Sequence, residues 1–427
     1  MNKDDYVALI AASIILVPLS GVFPMFGANI WYVQYLALLG VFCIYASLAL
    51  WKFNKYLSIF IWLCLISVIF VSGNPTAIAM WKLNFIQQHP KSILTLIQIV
   101  GACFAIYGIS KLNRQQRRII QNAIIMLFVI QGLWVVLQSL NLDPIFNHIK
   151  SNALDDTVGF TGSHNQIGLF FASVSPLIFA RMPYLLSFVV YGLWNSTTSF
   201  AWAGSAMGVL FYQFSKDKKI FIQILIILTI ASVIFFSQYE SLNSVVVGER
   251  LTLWKHTIGD VLDGDIDMVM PKVIQGKTFK VREIQKCNPL FGYGLGNFQR
   301  YSPYSQGAYI KSTHPDKRYH GDHHIYLHAH NDYIETFFDL GIFGFISLLA
   351  IIGNLFYRFC RAIKTKELLI YFSCVLAHMI TALGIFTVHT AASGMMLILF
   401  LGLLEGELRE QGRAIKWVRC LRGTKES

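Results

Sequence analysis

The densest group of chemically active side chains in this sequence ends at residue 330. Five histidines lie between His320 and His330, and Asn331, Glu335 and Asp339 follow. Histidine ligates zinc and also exchanges protons near neutral pH, although many His-rich loops are simply solvated. Asn331, Glu335 and Asp339 are spaced i, i+4 and i+8 and therefore share one face of a helix. At the top of a membrane helix such a face predicts a polar cavity, with His330 at its mouth.

A second group combines a cation with an aromatic ring. Arg250 and Trp254 are four residues apart, which places them one helical turn from each other. Arginine and tryptophan are both frequent at lipid headgroups, so membrane anchoring is the more common explanation for this pair alone. The alternative is a phosphate clamp, because a guanidinium group binds phosphate through two parallel hydrogen bonds.

A third group is a glycine-rich segment from Asn288 to Phe298. Gly292, Gly294 and Gly296 occupy every second position, which allows positive φ and close approach of another backbone. We expect neither a strand before this segment nor a clear helix after it. It is therefore predicted to be a tight loop and not a dinucleotide-binding fingerprint.

The elements that must position these groups are hydrophobic helices. Apolar residues make up 55% of the chain and charged residues only 14%, well below the quarter that is usual in soluble domains. The apolar residues form long runs without the alternation of barrel strands. The sequence therefore predicts an all-α integral membrane protein with about twelve transmembrane helices and one large periplasmic loop.

The distribution of basic residues sets the expected topology. The formal charge of +12 comes largely from clusters that alternate with the apolar runs, which is the positive-inside pattern and argues against nucleic-acid binding. Two of the predicted spans, 182–197 and 199–214, are short. If they were a single helix, the membrane orientation of all later spans would be reversed. The spans are predicted at 7–26, 30–50, 56–72, 92–110, 117–138, 164–180, 182–197, 199–214, 220–237, 331–357, 367–387 and 390–408.

These spans divide the chain into three parts. Residues 1–237 form an N-terminal transmembrane bundle of about nine helices, and residues 331–427 form about three further helices with a basic cytoplasmic tail. Residues 238–330 form the periplasmic loop that carries the motifs. This loop is expected to be too irregular to have much of a core of its own.

The three motifs in this order resemble the O-antigen ligase and polymerase superfamily. The resemblance runs from Arg250 and Trp254 through Asn288-Pro-Leu-Phe-Gly-x-Gly-x-Gly-Asn-Phe to His330-Asn-x-x-x-Glu with Asp339-Leu-Gly-Ile-x-Gly. The segment Gly159 to Gln166, at the start of a span, is similar to a further element of that family. Extra residues at about 260–287 and 301–327 depart from the family pattern.

The resemblance implies a metal-independent membrane glycosyltransferase of the bacterial inner membrane, with no cofactor. Its donor would be a glycan on undecaprenyl diphosphate. Its acceptor would be a sugar of the lipid A–core for a ligase, or another lipid-linked glycan for a polymerase. The essential histidine of the family corresponds to His330, and its loop arginine to Arg250.

This chemistry suggests a role for each candidate residue. Arg250 would hold the diphosphate, and neutral His330 would take the proton of the acceptor hydroxyl. Further substrate contacts are expected from a set of polar and aromatic residues: Arg282, Arg300, Asn331, Glu335, His164, Asn165 and Trp254. For His164 and Asn165, a polar helix cap is an equally good explanation.

Two other classes of protein remain open. A transporter or channel would use polar residues inside the spans as a permeation path, but those spans hold few charges. A zinc-dependent membrane hydrolase would bind its metal through the histidines of one loop, which are His320, His323, His324, His328 and His330.

Overall fold

The computed structural model describes residues 55–70, 90–142, 164–196, 198–215, 245–274, 277–313, 328–385 and 391–423. In these ranges the helices are α1 (Lys55–Phe70), α2 (Pro90–Ser110), α3 (Arg114–Ser139), α4 (His164–Arg181), α5 (Leu186–Ser196), α6 (Ser199–Phe214), α7 (Val245–Asp263), α8 (Phe298–Thr313), α9 (Asp332–Arg361), α10 (Lys366–Thr381) and α11 (Ala391–Gly423). Strands β1 (Asp265–Ile274) and β2 (Lys277–Lys286) lie between α7 and α8.

The chain divides into two compact units. The described part of the first comprises residues 104–142, 164–196, 198–215, 356–385 and 391–423, and that of the second comprises residues 55–70, 90–103, 245–274, 277–313 and 328–355. The boundaries fall inside α2 and α9.

The centre of the first unit is a bundle in which α4, α6 and α10 pack closely. Gly204 of α6 leaves no room for a side chain beside α10, and small residues of this kind let helix backbones approach. Hydroxyl groups bond between the helices: Ser205 to Ser175 at 2.8 Å, and Ser173 to His378 at 2.8 Å. These bonds satisfy polar groups that could not be left unpaired among apolar side chains.

Arginines of the predicted cytoplasmic clusters form ion pairs in this unit. Arg117 is almost fully buried and contacts Glu407 at 2.9 Å and Glu410 at 2.7 Å. Arg358 forms a two-bond pair with Glu405, at 2.7 and 2.8 Å. A buried arginine requires such partners, so these pairs connect α3 and the end of α9 to α11.

Helices α1 to α6 and α9 to α11 overlap predicted spans, although α11 continues to Gly423, beyond the predicted end at 408. Helices α7 and α8 lie in the predicted loop 238–330, and the predicted spans 7–26, 30–50 and 220–237 lie outside the described residues. Residues 186–214 form two separate helices, α5 and α6, and not one continuous helix. Two separate membrane crossings at this pair stay a prediction. Among the described helices, α3 and α9 are long and apolar enough to cross a membrane, and shorter apolar helices occur at Lys55–Cys64 and Thr95–Ser110. The total of about twelve spans stays a prediction.

The predicted loop 238–330 is more regular than expected. Strands β1 and β2 form an antiparallel hairpin, so the expectation of a purely helical chain is wrong at this point. The expectation that this loop lacks a core is also wrong. A hydrophobic cluster joins α7, β1, the glycine-rich segment and α8 to the start of α9, through Leu253, Val261, Ile266, Tyr293, Phe298, Tyr301, Ala329 and Phe338.

The glycine-rich segment pairs with a break in α9. The helix is interrupted at Gly341, whose φ of 64° and ψ of −162° are not helical. The backbone N–H groups of Tyr293 and Gly294 donate to the carbonyls of Phe338 and Asp339, each at 2.9 Å. In the opposite direction, the N–H groups of the residues after the break, 342 and 343, donate to the carbonyls of residues 289 and 290. The segment therefore satisfies backbone groups that the interrupted helix leaves open.

The surroundings of this segment correct the sequence prediction. A strand, β2, precedes it and a helix, α8, follows it, where neither was expected. The strand belongs to an antiparallel hairpin, so the parallel βαβ unit of a dinucleotide site is not formed by the described residues. The glycines serve close backbone contact: a Cβ on Gly341 would lie 2.5 Å from the nitrogen of Gly292 and 2.6 Å from the carbonyl carbon of Leu290.

This contact predicts a large difference between two glycines of the same helix. Gly341→Ala should destabilise the protein by more than about 2 kcal/mol, because it combines a positive φ with a backbone clash. Gly353→Ala, where a Cβ meets open space, should be neutral or stabilising by up to about 1 kcal/mol. Thermal unfolding of the two purified variants in detergent measures the difference in stability. Equal melting temperatures would contradict the close backbone contact at Gly341.

Candidate functional site

The backbone at His330 is held in an unusual conformation. Its φ of 51° lies in the left-handed region, which costs a residue with a side chain about 1–2 kcal/mol. The residue before it, Ala329, is bonded at both ends: its N–H donates to Glu335 Oε2 at 3.0 Å, and its carbonyl accepts from Trp254 Nε1 at 2.7 Å. These two bonds hold the segment that carries the His330 imidazole, so the unfavourable backbone is sustained by its neighbours.

The carboxylate of Glu335 also orients a second imidazole. His328 Nδ1 lies 3.0 Å from Glu335 Oε1, and His328 Nε2 lies 2.6 Å from Gln299 Nε2. A carboxylate only accepts hydrogen bonds, so Nδ1 carries the hydrogen and Nε2 accepts from the Gln299 amide. His328 thus links its own segment to both α8 and α9 without requiring a charge.

The other two polar residues on this face of α9 also hold backbone in place. Asn331 Oδ1 accepts from the N–H groups of Tyr333 and Ile334, which makes Asn331 the N-cap of α9. Asp339 Oδ2 accepts from Gly296 N at 2.6 Å, and its Oδ1 accepts from the first amide of α8 at 3.1 Å. The shared face predicted from the i, i+4, i+8 spacing is therefore used to fix the neighbouring loops.

Arg250 acts electrostatically on His330. Arg250 lies on α7 and His330 just before α9, and both side chains are partly buried. Burial first, and then the positive charge of Arg250, lowers the pKa of His330 from 6.5 to about 4. The carboxylate of Glu335 opposes this shift only weakly. His330 is consequently neutral at pH 7 and able to accept a proton.

Trp254 and the two other candidate arginines, Arg282 and Arg300, have different placements. The Trp254 indole is bonded to Ala329 and packs against the hydrophobic cluster, so it joins α7 to the segment before His330. Arg282 lies in β2 opposite Val269, and Arg300 lies in the first turn of α8. For these two arginines the backbone position is described, and a role in binding diphosphate stays a prediction.

His164 and Asn165 begin α4 in the first unit. Asn165 Oδ1 accepts a hydrogen bond of 2.8 Å from the Thr198 hydroxyl, which connects the start of α4 to the residue preceding α6. This bond joins two side chains and is not a helix cap, in which Asn165 would accept from a backbone N–H, so the cap also stays a prediction. A contact of either residue with substrate stays a prediction.

The described residues contain no group of three or more His, Cys, Asp or Glu side chains placed to hold a metal ion. His320, His323 and His324 lie outside the described residues. The role of Gln299 was not anticipated from the sequence, because its partner His328 is far along the chain. Its position directly after the first residue of α8 was the available signal.

Comparison with known proteins supports the resemblance seen in the motifs. Residues 282–349 match the family model described as O-antigen ligase. The matched region contains the glycine-rich segment, His328, His330 and the break in α9, whereas Arg250 precedes it. A comparison with curated proteins gives no match. The match confirms the predicted resemblance to the O-antigen ligase and polymerase superfamily, whose members are glycosyltransferase-like membrane enzymes.

The bonds of Glu335 predict a local change when its side chain is removed. Glu335→Ala should speed amide hydrogen exchange at Ala329, because the amide of that residue loses its acceptor. Thr336→Ala is the matched control, because the Thr336 hydroxyl bonds only within its own helix turn, to the carbonyl of Asp332. Hydrogen exchange followed by mass spectrometry of the peptide around residue 329 gives the comparison. Equal exchange in both variants would contradict the described contact.

Proposed function

We propose that the chain is a membrane glycosyltransferase that moves a glycan from undecaprenyl diphosphate to an acceptor sugar hydroxyl at the periplasmic face of the bacterial inner membrane. The observation that carries the proposal is the electrostatic effect of the Arg250 guanidinium on the neutral imidazole of His330, a residue of the region 282–349 that is similar to O-antigen ligases. We propose a ligase acting on lipid A–core, without a metal ion. The other proposed partners are the lipids of that membrane.

The reaction requires stabilisation of the leaving group and removal of a proton from the acceptor. The acceptor oxygen forms a bond to the anomeric carbon while the bond from that carbon to the diphosphate oxygen breaks. The departing lipid diphosphate carries several negative charges, which fixed cations such as Arg250 stabilise. The acceptor hydroxyl loses its proton to His330, and general-base catalysis of this kind typically raises the rate by about 10²–10⁴-fold. Direct displacement of this kind inverts the configuration at the anomeric carbon.

The neutral state of His330 suits the role of proton acceptor. An imidazolium group could not take a proton, and the neighbouring Arg250 charge disfavours that form. The same charge attracts the anionic donor, so one arginine serves both tasks. Arg282 and Arg300 are candidates for a second diphosphate contact, because both belong to the second unit that contains Arg250.

A polymerase of the same superfamily is the second candidate. It would use the same donor chemistry and differ in the acceptor, which would be the end of another lipid-linked glycan. The family match covers the segment that both classes share and therefore favours neither. Supplying purified protein with a lipid-linked donor and either acceptor separates the two, since the ligase glycosylates lipid A–core and the polymerase lengthens the lipid-linked chain.

Substitution of the two central residues should abolish transfer. We expect His330→Ala and Arg250→Ala to lower the rate of glycan transfer in vitro by at least about 10²-fold each. Lys255→Ala is the matched control, because Lys255 is exposed on the same helix as Arg250. All three variants should remain in the membrane fraction.

The outcomes of this assay separate the classes of protein. Full activity of both variants would discard the site assignment. Loss of wild-type activity on treatment with a metal chelator would favour the zinc hydrolase or a metal-dependent transferase. Flux of a solute into proteoliposomes without glycan transfer would favour a transporter.

The lowered pKa of His330 predicts the pH dependence of transfer. With a pKa of about 4, the neutral form dominates at every pH above that value, so kcat/KM should stay constant from pH 7 down to about pH 5 and fall near pH 4. A histidine with the ordinary pKa of about 6.5 would already lose activity below pH 7. The control is return of acid-treated enzyme to pH 7 before the assay. A reversible loss centred near pH 6.5 would contradict the proposed environment.

A further inference from the structure

The ring of His328 connects two helices of the second unit. Its ring bonds through both nitrogens, at 3.0 Å to Glu335 on α9 and at 2.6 Å to Gln299 on α8. Glu335 is buried, and its second carboxylate oxygen holds the backbone N–H of Ala329. The imidazole therefore lies between two helices and is tied, through one carboxylate, to the peptide that precedes His330.

We propose that His328 is a positioning residue for the transfer reaction: with Glu335 and Gln299 it holds the segment Ala329–His330 so that the His330 imidazole is presented beside Arg250. The inference rests on the proposed role of His330 as proton acceptor. His328 itself does not take part in the proton transfer, because its Nδ1–H is given to Glu335 and its Nε2 is engaged by Gln299.

The segment Ala329–His330 needs to be held in place for two physical reasons. The left-handed backbone at His330 is unfavourable by itself and relaxes when its neighbours are released. The flanking peptide is held from one side by Trp254 of α7, which also carries Arg250, and from the other side by Glu335. Removing the His328 ring leaves one oxygen of a buried carboxylate without its imidazole partner, and this loosens the second of these attachments.

Three substitutions at residue 328 separate the two bonds of the ring. His328→Asn places an amide N–H near the position of Nδ1, so that Glu335 keeps a donor while Gln299 loses its contact. His328→Gln places an amide near the position of Nε2 and leaves Glu335 without its donor. His328→Ala removes both bonds. His330→Ala is assayed in parallel, so that failure of the proposed function is recognised separately.

The expected result is a graded loss of kcat. His328→Ala and His328→Gln should lower kcat by about 10²-fold, since small misplacements of a reacting group have effects of this size. His328→Asn should stay within about tenfold of wild type, because one neutral hydrogen bond is lost. The KM for the lipid-linked donor should change little in all three. Wild-type kcat in His328→Ala, with His330→Ala inactive, would overturn the positioning role and leave the proposed function intact.

The pH profile distinguishes positioning from a general loss of folded protein. At acidic pH the charge of a protonated His328 lowers the pKa of His330, so the acidic limb of the residual activity of His328→Ala should move to higher pH. A loss of activity in proportion to the amount of folded enzyme, with the acidic limb unmoved, would overturn the inference. Activity of His330→Ala equal to wild type would instead overturn the proposed function on which the inference rests.

Discussion

The exchange of backbone hydrogen bonds between the glycine-rich segment and the break in α9 is the constraint on which the rest of the second unit depends. A helix that stops and restarts leaves amide and carbonyl groups without their usual partners, and these groups are costly to bury. The loop supplies the missing partners in both directions. Gly292 and Gly341 allow the two backbone segments to approach, because a Cβ atom on either glycine would clash with the backbone of the other segment.

The break also sets the positions of the charged residues. Asp339, at the break, fixes the start of α8, and α8 carries Gln299. One turn earlier, Glu335 fixes His328 and the peptide before His330. Asp339 and Glu335 thus accept hydrogen bonds from backbone and imidazole N–H groups. The positive charge of Arg250 lowers the pKa of His330, so the imidazole is neutral at pH 7.

The sequence predicted local properties well and long-range contacts poorly. The apolar runs located α3, α4 and α9 to within a few residues, because a membrane helix is encoded by consecutive residues. The hairpin of β1 and β2 was missed, since strands of mixed polarity give little periodic signal. The spacing of Asn331, Glu335 and Asp339 correctly predicted a shared face, but not that its acceptors would bind loops distant in sequence. Those contacts form between segments that are distant in the chain, and the residue pattern of a single sequence does not reveal which distant segments pack together.

We propose that Arg250 and His330 face one lipid diphosphate at the outer side of the membrane, and an experimentally determined structure of the protein with undecaprenyl diphosphate bound tests this most directly. We expect phosphate oxygens within hydrogen-bonding distance of the Arg250 guanidinium, with the imidazole of His330 on the same side of the ligand. A diphosphate bound elsewhere, or an imidazole turned away from it, would contradict this placement.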